Sequence, residues 1–487
     1  MTTAIAFDNS YARLPPRFFE PTLPTPVSKP RLVRLNRALA LELGLDPDWL
    51  GGEAGVAMLA GNAIADGSTP IAAAYAGHQF GHFVPQLGDG RAILLGEVID
   101  RNGARRDIQL KGAGRTRFSR GGDGRAALGP VMREYLVSEA MAAFGIPTTR
   151  ALAFVTTGEA VVREQFLPGA ILTRVASSHI RVGSFQFFAA RRDVEGIRTL
   201  ADHVIARHYP DCALAENRYL ALLSAVIEAQ ARLVAQWLLV GFIHGVMNTD
   251  NMSVAGETID YGPCAFMEAY DTDTVFSAID VNGRYAYGAQ PSIALWNLTR
   301  LAETLAPLLA TQMDQAVALA QEALERFGPA FTAAYESGLA SKLGLTGSDP
   351  ADDGLIGDWL QLLARHQADF TLHFRSLADA AESEAGRQRL RERFAGDPAI
   401  DAWLSRWRAR IAPGDAAARL RQANPVYIPR NHLVEAAIAA AVGSDDFRPF
   451  ESLTELLSQP YRDRSGFEAY ALPAKAEERV LRTFCGT

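Results

Sequence analysis

The sequence predicts an α+β fold with two lobes, a β-rich N-terminal lobe and a mainly helical C-terminal lobe. Short strand-like segments separated by glycines characterise residues 70–167, whereas long segments rich in alanine and leucine dominate from Thr199 onward. We therefore expect three parts: an N-terminal extension that wraps the fold (residues 1–69), the β-rich lobe (70–167), and a helical lobe that includes the C-terminal tail (168–487).

Composition narrows the class of protein. A hydrophobic content of 48% and a charged content of 21% are typical of a soluble globular chain, and a net charge of −7 argues against nucleic acid as the main partner. The three cysteines are too few for a disulfide framework, which favours a reducing compartment. The N-terminus lacks an apolar signal core, and the longest apolar run, Leu233 to Ile243, is too short to span a bilayer. We expect a cytoplasmic monomer without membrane contact.

The N-terminal extension is predicted to combine an arm with two helices. Prolines and aromatic residues crowd residues 8–30, and because proline fixes φ and lacks a donor, we expect an extended surface arm there. Leucines at three- and four-residue spacing predict a helix from Arg31 to Gly44. Small residues favour a further short helix from Gly51 to Gly61.

A first glycine-rich loop opens the β-rich lobe. Gly88 and Gly90 precede a strand-like run from Ala92 to Ile99, and a loop of this kind lets the backbone approach phosphates closely. Arg91 adds a cation that could meet a phosphate. A plain hairpin turn is the simpler interpretation of so short a pattern.

A lysine and a glutamate form a second candidate pair. The alternating segment from Arg106 to Lys111 predicts a strand, and the segment from Pro130 to Phe144 predicts a helix with Glu134 in its first turns. Protein kinases need such a pairing of strand lysine and helix glutamate to place the lysine on the phosphates. Each residue alone is more often an ordinary surface charge.

A second glycine-rich loop follows Lys111 and is strongly basic. Such a loop cannot pack hydrophobically and suits an anion. Its arginines are Arg115, Arg117, Arg120 and Arg125, and they surround the sequence Gly121-Gly122-Asp123-Gly124.

Two further strands joined at Gly158 are predicted within residues 151–166, followed by a linker at residues 167–170. Arg174 and Arg181 come next. If their segment is helical, their spacing of seven places them on one face, where they could clamp phosphates. Otherwise they are ordinary surface charges.

The remaining chain is predicted to be mainly helical. The expected helices cover Leu200–His208, Arg218–Val240, Ala289–Leu309, Met313–Tyr335, Leu355–His373, Glu382–Phe394 and Asp397–Ile411.

The most informative stretch lies directly after the helix that ends at Val240. A short polar turn there carries His244, Asp250 and Asn251, and Asp260 follows a β-prone segment. Asn251 and Asp260 could direct oxygen ligands at one hard cation such as Mg²⁺.

This stretch resembles the catalytic loop and the metal-binding triplet of protein kinases, H-R-D-x-x-x-x-N followed by D-F-G. His244 and Asn251 have the kinase spacing, and Asp260-Tyr261-Gly262 is a variant of the triplet. Val246, however, occupies the position of the catalytic aspartate, so that Asp250 is the only carboxylate left in the turn.

Taken together, these motifs are similar to those of the selenoprotein O family, also called YdiU. The resemblance covers most of the chain and includes a cysteine near the C-terminus. It is carried by FDNSYARLP, PTPV, YAGHQFGHFVPQLGDGRA, LKGAGRTRFSRGGDGRAAL, HGVMNTDNMSV and IDYGPCAFM. It implies a kinase-like fold that binds ATP in a flipped orientation and transfers AMP, with Mg²⁺ or Mn²⁺, to Ser, Thr or Tyr hydroxyls of proteins.

The resemblance also implies roles for individual residues. Asp250 matches the proton acceptor, Asn251 and Asp260 match the metal ligands, and Glu134 supports Lys111. The residues that match nucleotide contacts are Gly88, Gly90, Arg91, Lys111, Asp123, Gly124, Arg174, Arg181 and Asp260.

Two other functions remain open at this point. An ordinary kinase could use Asp250 as a displaced base, and a pseudokinase could bind nucleotide as a scaffold, since Val246 replaces the usual aspartate. The retained Lys111, Asn251 and Asp260 argue against the scaffold. The surplus of arginines favours AMP transfer, because pyrophosphate leaves with a large negative charge.

Cys264 and Cys485 form a hypothetical redox pair. Cys264 follows Asp260 by four residues and Cys485 is third from the C-terminus, so a disulfide between them would tie the tail across the mouth of the site. Two free thiols in a reducing cytosol are the alternative. Cys212 is expected only to be packed.

Overall fold

The α+β class is confirmed by the structure, a computed structural model that describes residues 5–347, 349–411 and 414–484. About half of the chain is helical, and the longer strands lie between residues 92 and 176. The strands are β1 (Phe19–Pro21), β2 (Arg31–Leu35), β3 (Ile71–Ala73), β4 (Gly77–Gln79), β5 (His82–Val84), β6 (Ala92–Ile99), β7 (Arg105–Lys111), β8 (Ala126–Ala127), β9 (Arg150–Val162), β10 (Phe166–Ala176), β11 (Phe242–Ile243) and β12 (Ala265–Phe266).

One antiparallel sheet of eight strands positions the site. Its order is β1-β3-β6-β7-β10-β9-β2, and β8 pairs with β10 off this path. β6 and β7 pair with Ala92 opposite Lys111, and β10 lies on the other side of β7 with Leu172 opposite Lys111. Lys111 is therefore at the end of a central strand, flanked on both sides. Within the described part of the chain, β4 pairs only with β5, and β11 only with β12.

Most of the helices come after the strands of the sheet in the sequence. They are α1 (Arg37–Glu42), α2 (Pro47–Gly51), α3 (Glu53–Leu59), α4 (Leu128–Ala143), α5 (Val182–Ala189), α6 (Val194–His208), α7 (Arg218–Leu239), α8 (Gln290–Leu309), α9 (Met313–Glu325), α10 (Phe327–Lys342), α11 (Asp352–Arg365), α12 (Phe370–Glu382), α13 (Glu384–Arg393), α14 (Pro398–Arg410), α15 (Ala416–Ala423), α16 (Asn431–Ser444) and α17 (Arg448–Leu457).

Helix α4 is held between the sheet and the C-terminal helices. It contacts β9 and β10 on one side and α16 and α17 on the other. Tyr135 packs edge-on against Phe154 of β9 and Phe450 of α17, with ring centroids 5.7 and 5.6 Å away. Packing on both sides fixes the rotation of α4 and hence the direction of Glu134.

Helix α7 leads into the polar turn of residues 244–251. It is long and apolar enough to cross a membrane by length and composition alone, but most of it is buried inside the protein. Leu223, Ile227 and Val234 are almost completely buried in the core. Trp237 donates a hydrogen bond from its indole Nε1 to Thr258 Oγ1 at 2.8 Å, which ties the helix to the segment before Asp260.

The predicted helix from Arg31 to Gly44 is wrong for its first residues. Arg31–Leu35 form strand β2, which pairs with β9, and the helix begins only after Asn36. Asn36 caps it by accepting a hydrogen bond from the Leu39 backbone at 3.1 Å. Leucine spacing does not reveal this, because pairing with a neighbouring strand overrides local helix propensity.

The two strands predicted to join at Gly158 are a single strand, β9. Gly158 has φ of +73°, and a Cβ there would lie 2.6 Å from Lys29 Cβ, so the residue is a bend against the arm, not a turn. The turn falls instead at residues 163–165. The predicted linker at 167–170 is also wrong, since these residues lie within β10.

Two predicted helices are each interrupted. The segment from Met313 to Tyr335 divides between α9 and α10, and the segment from Leu355 to His373 divides between α11 and α12. In the second case Gln367 adopts φ of +44°, and Asp369 caps α12 by accepting from the Leu372 backbone at 2.7 Å. The predicted extended arm is confirmed only for its later part, since Tyr11–Arg13 and Pro16–Phe18 form short 3-10 helices. It is also wrong as a surface feature, because β1 pairs with β3 and Phe18 is fully buried in the core.

Lys342 provides a prediction about stability. Its ammonium is buried at the end of α10, with Nζ 4.4 Å from the ring centroid of Phe374, and burial lowers its pKa to about 7. Between about pH 7 and its unfolded pKa the unfolded chain binds more protons than the folded one. Stability must therefore rise with pH across this window, by at most about 1.4 kcal/mol per pH unit.

The measurement compares the free energy of unfolding of the wild type with that of Lys342→Met between pH 7 and 9. The free energy of unfolding of the wild type minus that of Lys342→Met is expected to increase as pH rises. Lys475→Met, at a lysine whose side chain is 73% exposed, serves as the control and should run parallel to the wild type. Parallel curves for Lys342→Met as well would contradict the role of this lysine.

Candidate active site

A cleft of about 710 Å³ collects the residues that the sequence singles out. It lies between the glycine loops, the ends of β7 and β10, and the polar turn after α7. Its lining includes Gly88, Gly90, Arg91, Lys111, Asp123, Gly124, Arg174, Arg181, Asp250, Asn251 and Asp260.

Asp260 is the electrostatic centre of the cleft. Its Oδ1 accepts from Arg174 Nη1 at 2.6 Å and from Lys111 Nζ at 3.2 Å, and its Oδ2 accepts from Arg181 Nη1 at 2.6 Å. Burial alone would raise the pKa of this carboxyl, but the neighbouring cations, Arg181 foremost, hold it well below its usual range. Asp260 has φ of +62°, a left-handed conformation that is costly outside glycine and typical of functional sites.

Lys111 forms the ion pair that the sequence predicts. Its Nζ lies 2.5 Å from Glu134 Oε2, and the other carboxylate oxygen, Oε1, accepts from Arg174 Nη1 at 3.2 Å. Glu134 does not line the cleft, so it acts from behind. It holds the lysine and the arginine at the end of the sheet.

Arg174 and Arg181 meet at Asp260 by a different route from the predicted helical face. Arg174 lies on strand β10, and Arg181 directly precedes α5. Arg174 also donates from Nε to Gln109 Oε1 at 3.1 Å. The guanidinium of Arg181 lies 4.7 Å from the ring centroid of Tyr75 and is almost completely buried.

The polar turn presents Asp250 and Asn251 to the cleft. The backbone carbonyl of Asp250 accepts from Arg181 Nη1 at 2.7 Å, and the residue is 8% exposed. Burial raises the pKa of Asp250 to about 6, although the Arg181 charge opposes this shift. Asn251 Nδ2 donates to the Val246 carbonyl at 2.9 Å, which leaves the amide oxygen as the atom suited to a cation.

His244 and Val246 complete the turn without adding a second acid. His244 is fully buried and its Nε2 lies 2.9 Å from the carbonyl of Ile259, so that it ties the turn to the segment carrying Asp260. Val246 lines the cleft where a carboxylate would stand in the kinase motif. Asp250 is therefore the acid of this turn.

Both glycine loops pack so tightly against neighbouring residues that a side chain in place of Gly88 or Gly124 would not fit. Gly88 has φ of +73°, and a Cβ there would lie 2.2 Å from the Phe118 ring. Gly124 has φ of +69°, and its Cβ would lie 2.1 Å from the carbonyl oxygen of Gly114. Asp123, directly before Gly124, is held by Arg163 Nη1 at 2.9 Å. The backbone of both loops therefore borders the cleft directly.

The donor set fits a hard divalent cation that is shared with a nucleotide. Among the described residues there is no group of three or more His, Cys, Asp or Glu side chains that could hold a metal by themselves. Mg²⁺ does not need one, because it commonly binds one or two protein oxygens together with substrate phosphates and water. The Asn251 amide oxygen and the Asp260 carboxylate provide such a partial set in one cleft.

The two cysteines of the hypothetical redox pair differ in what the structure describes. Cys264 is buried, while Cys485 lies outside the described residues. The chain just before Cys485 is close to Cys264, since Thr483 Oγ1 donates to the carbonyl of Pro263 at 2.5 Å. Cys212 packs partly buried against the core, as expected.

Several cleft residues were not found by sequence reasoning. The polar ones among them include Tyr75, Gln79, Asp89 and Arg163. Asp89 is buried, and its Oδ2 accepts a hydrogen bond from the backbone N–H of Ala73 at 3.1 Å. This bond holds the first glycine loop against β3. Only for Asp89, set between Gly88 and Gly90, was a local signal available.

Comparison with known proteins agrees with these features. Residues 2–458 match the family model described as protein adenylyltransferase SelO. A protein nucleotidyltransferase YdiU from Rhodopseudomonas palustris is 62% identical over 492 residues, and one from Methylorubrum populi is 63% identical over 499 residues. Both alignments cover 100% of this chain and 100% of the relative.

The chain belongs to the SelO family of protein adenylyltransferases. It is accordingly an enzyme of the nucleotidyltransferase class.

Proposed function

We propose that the protein transfers AMP from ATP to Ser, Thr or Tyr hydroxyls of other proteins and releases pyrophosphate. In this proposal ATP is flipped relative to a protein kinase, so that its triphosphate end lies deepest in the cleft. The supporting observation is the convergence of Lys111, Arg174 and Arg181 on the carboxylate of Asp260. The same three cations offer phosphate oxygens charge-assisted hydrogen bonds.

The charge arrangement suits the chemistry of the leaving group. The substrate hydroxyl oxygen attacks the α-phosphorus, and the bond from that phosphorus to the oxygen bridging to the β-phosphorus breaks. Negative charge then grows on pyrophosphate, where the buried guanidinium groups of Arg174 and Arg181 can stabilise it. A divalent cation held by Asn251 and Asp260 would supply further charge stabilisation.

Asp250 is proposed to receive the proton of the attacking hydroxyl. Burial raises its pKa to about 6, which brings it closer to that of an effective general base at neutral pH. It remains a carboxylate there for most of the time. Its larger contribution is to orient the hydroxyl, since phosphoryl-type reactions depend mainly on positioning and electrostatics.

We also propose the two-lobed fold, the cellular location and the partners that the sequence predicts. Lys111, Glu134, the polar turn and Asp260 occur in kinase order, which supports a kinase-like two-lobed fold with residues 70–167 and 168–487 on either side of the cleft. We further propose a cytoplasmic monomer that uses Mg²⁺ or Mn²⁺ and has neither a nucleic-acid nor a membrane partner.

The reaction class is tested by the product that purified protein releases from ATP in the presence of Mg²⁺ and a protein acceptor. AMP transfer predicts pyrophosphate, in amounts that match the modified protein. ADP in its place would show a kinase, and nucleotide binding without either product would favour a scaffold. Both outcomes would contradict the proposal.

A reversible disulfide between Cys264 and Cys485 is proposed on the position of the tail. Thr483 forms a parallel bridge with Ser277 and donates a hydrogen bond to the carbonyl of Pro263, the residue before Cys264, so the described end of the chain lies close to Cys264. We expect a peptide linking the two cysteines under mild oxidant, and its loss after reduction. Peptide mapping of Cys212→Ser, which should retain the link, provides the control; absence of the linked peptide would disprove the pairing.

A further inference from the structure

The short hairpin formed by β4 and β5 lies directly on the polar turn that carries Asp250. The backbone N–H of His78 donates to Thr249 Oγ1 at 2.7 Å, and that of Phe80 donates to Asn248 Oδ1 at 3.0 Å. The hairpin pairs with no other strand of the sheet among the described residues. Its contacts to the turn are therefore a principal part of what fixes it in place.

Gln79 extends this contact to the reacting carboxylate. Its Nε2 donates to Asp250 Oδ2 at 3.4 Å, and both side chains line the cleft. Among the described residues, no other side chain donates a hydrogen bond to this carboxylate, and its Oδ1 is buried without a hydrogen-bond partner. Gln79 is thus the side chain able to select the orientation of the Asp250 carboxylate.

Gly77 leaves the space that this orientation needs. A Cβ at Gly77 would lie 2.7 Å from Asp250 Oδ1 and 3.1 Å from Asp250 Cβ. Contacts this short would force the carboxylate to move. The hairpin therefore borders Asp250 on two sides, with a donor at Oδ2 and a bare backbone at Oδ1.

A buried glutamine of α5 locks the hairpin to the turn. Gln186 Oε1 accepts from Thr249 Oγ1 at 2.6 Å, and its Nε2 lies 2.8 Å from His78 Nδ1. Gln186 is 4% exposed, and Thr249 is completely buried. These bonds explain how a two-stranded ribbon can hold a side chain with precision, although such ribbons are only marginally stable alone.

We propose that Gln79 is a positioning residue for AMP transfer. Its amide holds the Asp250 carboxylate in the orientation in which it can receive the proton of the hydroxyl of the protein substrate. This inference rests on the proposed function, because it assigns to Asp250 the role given above. It assigns Gln79 no contact with the triphosphate, which the cations around Asp260 bind.

The test uses Gln79→Met, which keeps the length of the side chain but removes the donor. We expect kcat for AMP transfer to fall about tenfold, the order expected when a hydrogen bond to a charged group is lost. The KM for ATP and the affinity for a non-hydrolysable ATP analogue with Mg²⁺ should stay unchanged. Gln422→Met, at a glutamine of α15 that does not line the cleft, is the matched control and should behave as wild type.

Two further variants separate positioning from folding. Gln79→Glu places a second carboxylate beside Asp250 and should lower kcat more than Gln79→Met, because like charges repel. In the Asp250→Asn background, Gln79→Met should add no further loss, since residues that act through one another are not additive. Midpoints of thermal unfolding near the wild-type value would show that these losses are not losses of fold.

Different results would overturn different claims. An unchanged kcat for Gln79→Met, or an equal loss in the presence and absence of the Asp250 carboxylate, would overturn the positioning role. A loss of nucleotide affinity that accounts for the whole effect would make Gln79 a nucleotide contact and overturn it as well. Failure of the wild type itself to transfer AMP would contradict the proposed function, which the wild-type assay reports separately.

Discussion

Replacing Asp260 with asparagine is expected to reduce AMP transfer by roughly 1,000-fold, the upper end of what a single electrostatic group contributes. The change removes the negative charge of the carboxylate that accepts hydrogen bonds from Lys111, Arg174 and Arg181. The same carboxylate would bind the divalent cation. Measurement of the initial rate at ATP and Mg²⁺ concentrations that saturate the wild type tests this directly. Raising the Mg²⁺ concentration should restore only part of the rate, because the position of the cation is lost along with its affinity.

The same variant should be less stable in the absence of nucleotide. Arg174 and Arg181 are buried, and removing one partner of a buried ion pair typically costs about 3–5 kcal/mol. Rates must therefore be compared at a temperature where both proteins are folded. Asp358→Asn removes a carboxylate from an exposed pair with Arg406 and should leave both rate and stability nearly unchanged. Wild-type activity of Asp260→Asn would contradict its role as a ligand.

Arg181→Lys is expected to lower the rate of AMP transfer by roughly 100-fold even though it keeps the positive charge, the order expected when a hydrogen bond to a charged group is lost. Arg181 Nη1 donates both to Asp260 Oδ2 and to the backbone carbonyl of Asp250, and the guanidinium lies over the ring of Tyr75. A lysine ammonium is a compact point charge without this planar fork. It cannot keep the stacking contact and link the two aspartates in the same way.

The kinetic constants distinguish this explanation from a simple loss of charge. If Arg181 aligns the cleft, then kcat for Arg181→Lys should fall more than the affinity for ATP. Arg406→Lys, at an exposed arginine, supplies the matched control and should retain the wild-type rate. A lysine variant with nearly full activity would show that a point charge is sufficient and that the bridge between the two aspartates is unimportant.

The elements predicted well from the sequence are those whose pattern is local. β6 covers the run from Ala92 to Ile99, and α4 follows the predicted apolar spacing. The same applies to the ion pair between Lys111 and Glu134, because a strand end and an early helical position limit where each side chain can lie. In these cases local propensity and the tertiary structure favour the same conformation.

Where partners are distant, the sequence predicted less. Arg31–Leu35 have helical spacing, yet they complete the sheet beside β9. Arg174 and Arg181 reach Asp260 from a strand and from a helix start, so their spacing of seven residues has no helical meaning. Gln79 carries no local signal, since its contact with Asp250 spans 171 residues. Burial and sheet order decide these positions, and neither can be read from one stretch of chain.

The most direct test of AMP transfer follows the fate of ATP labelled at either the α- or the γ-phosphate, with Mg²⁺ and a protein acceptor. AMP transfer predicts that the acceptor protein retains label from α-labelled ATP and not from γ-labelled ATP, and that it retains almost none when Asp260→Asn replaces the wild type. Retention from γ-labelled ATP alone would mean phosphate transfer. That result would contradict both AMP transfer and the flipped nucleotide.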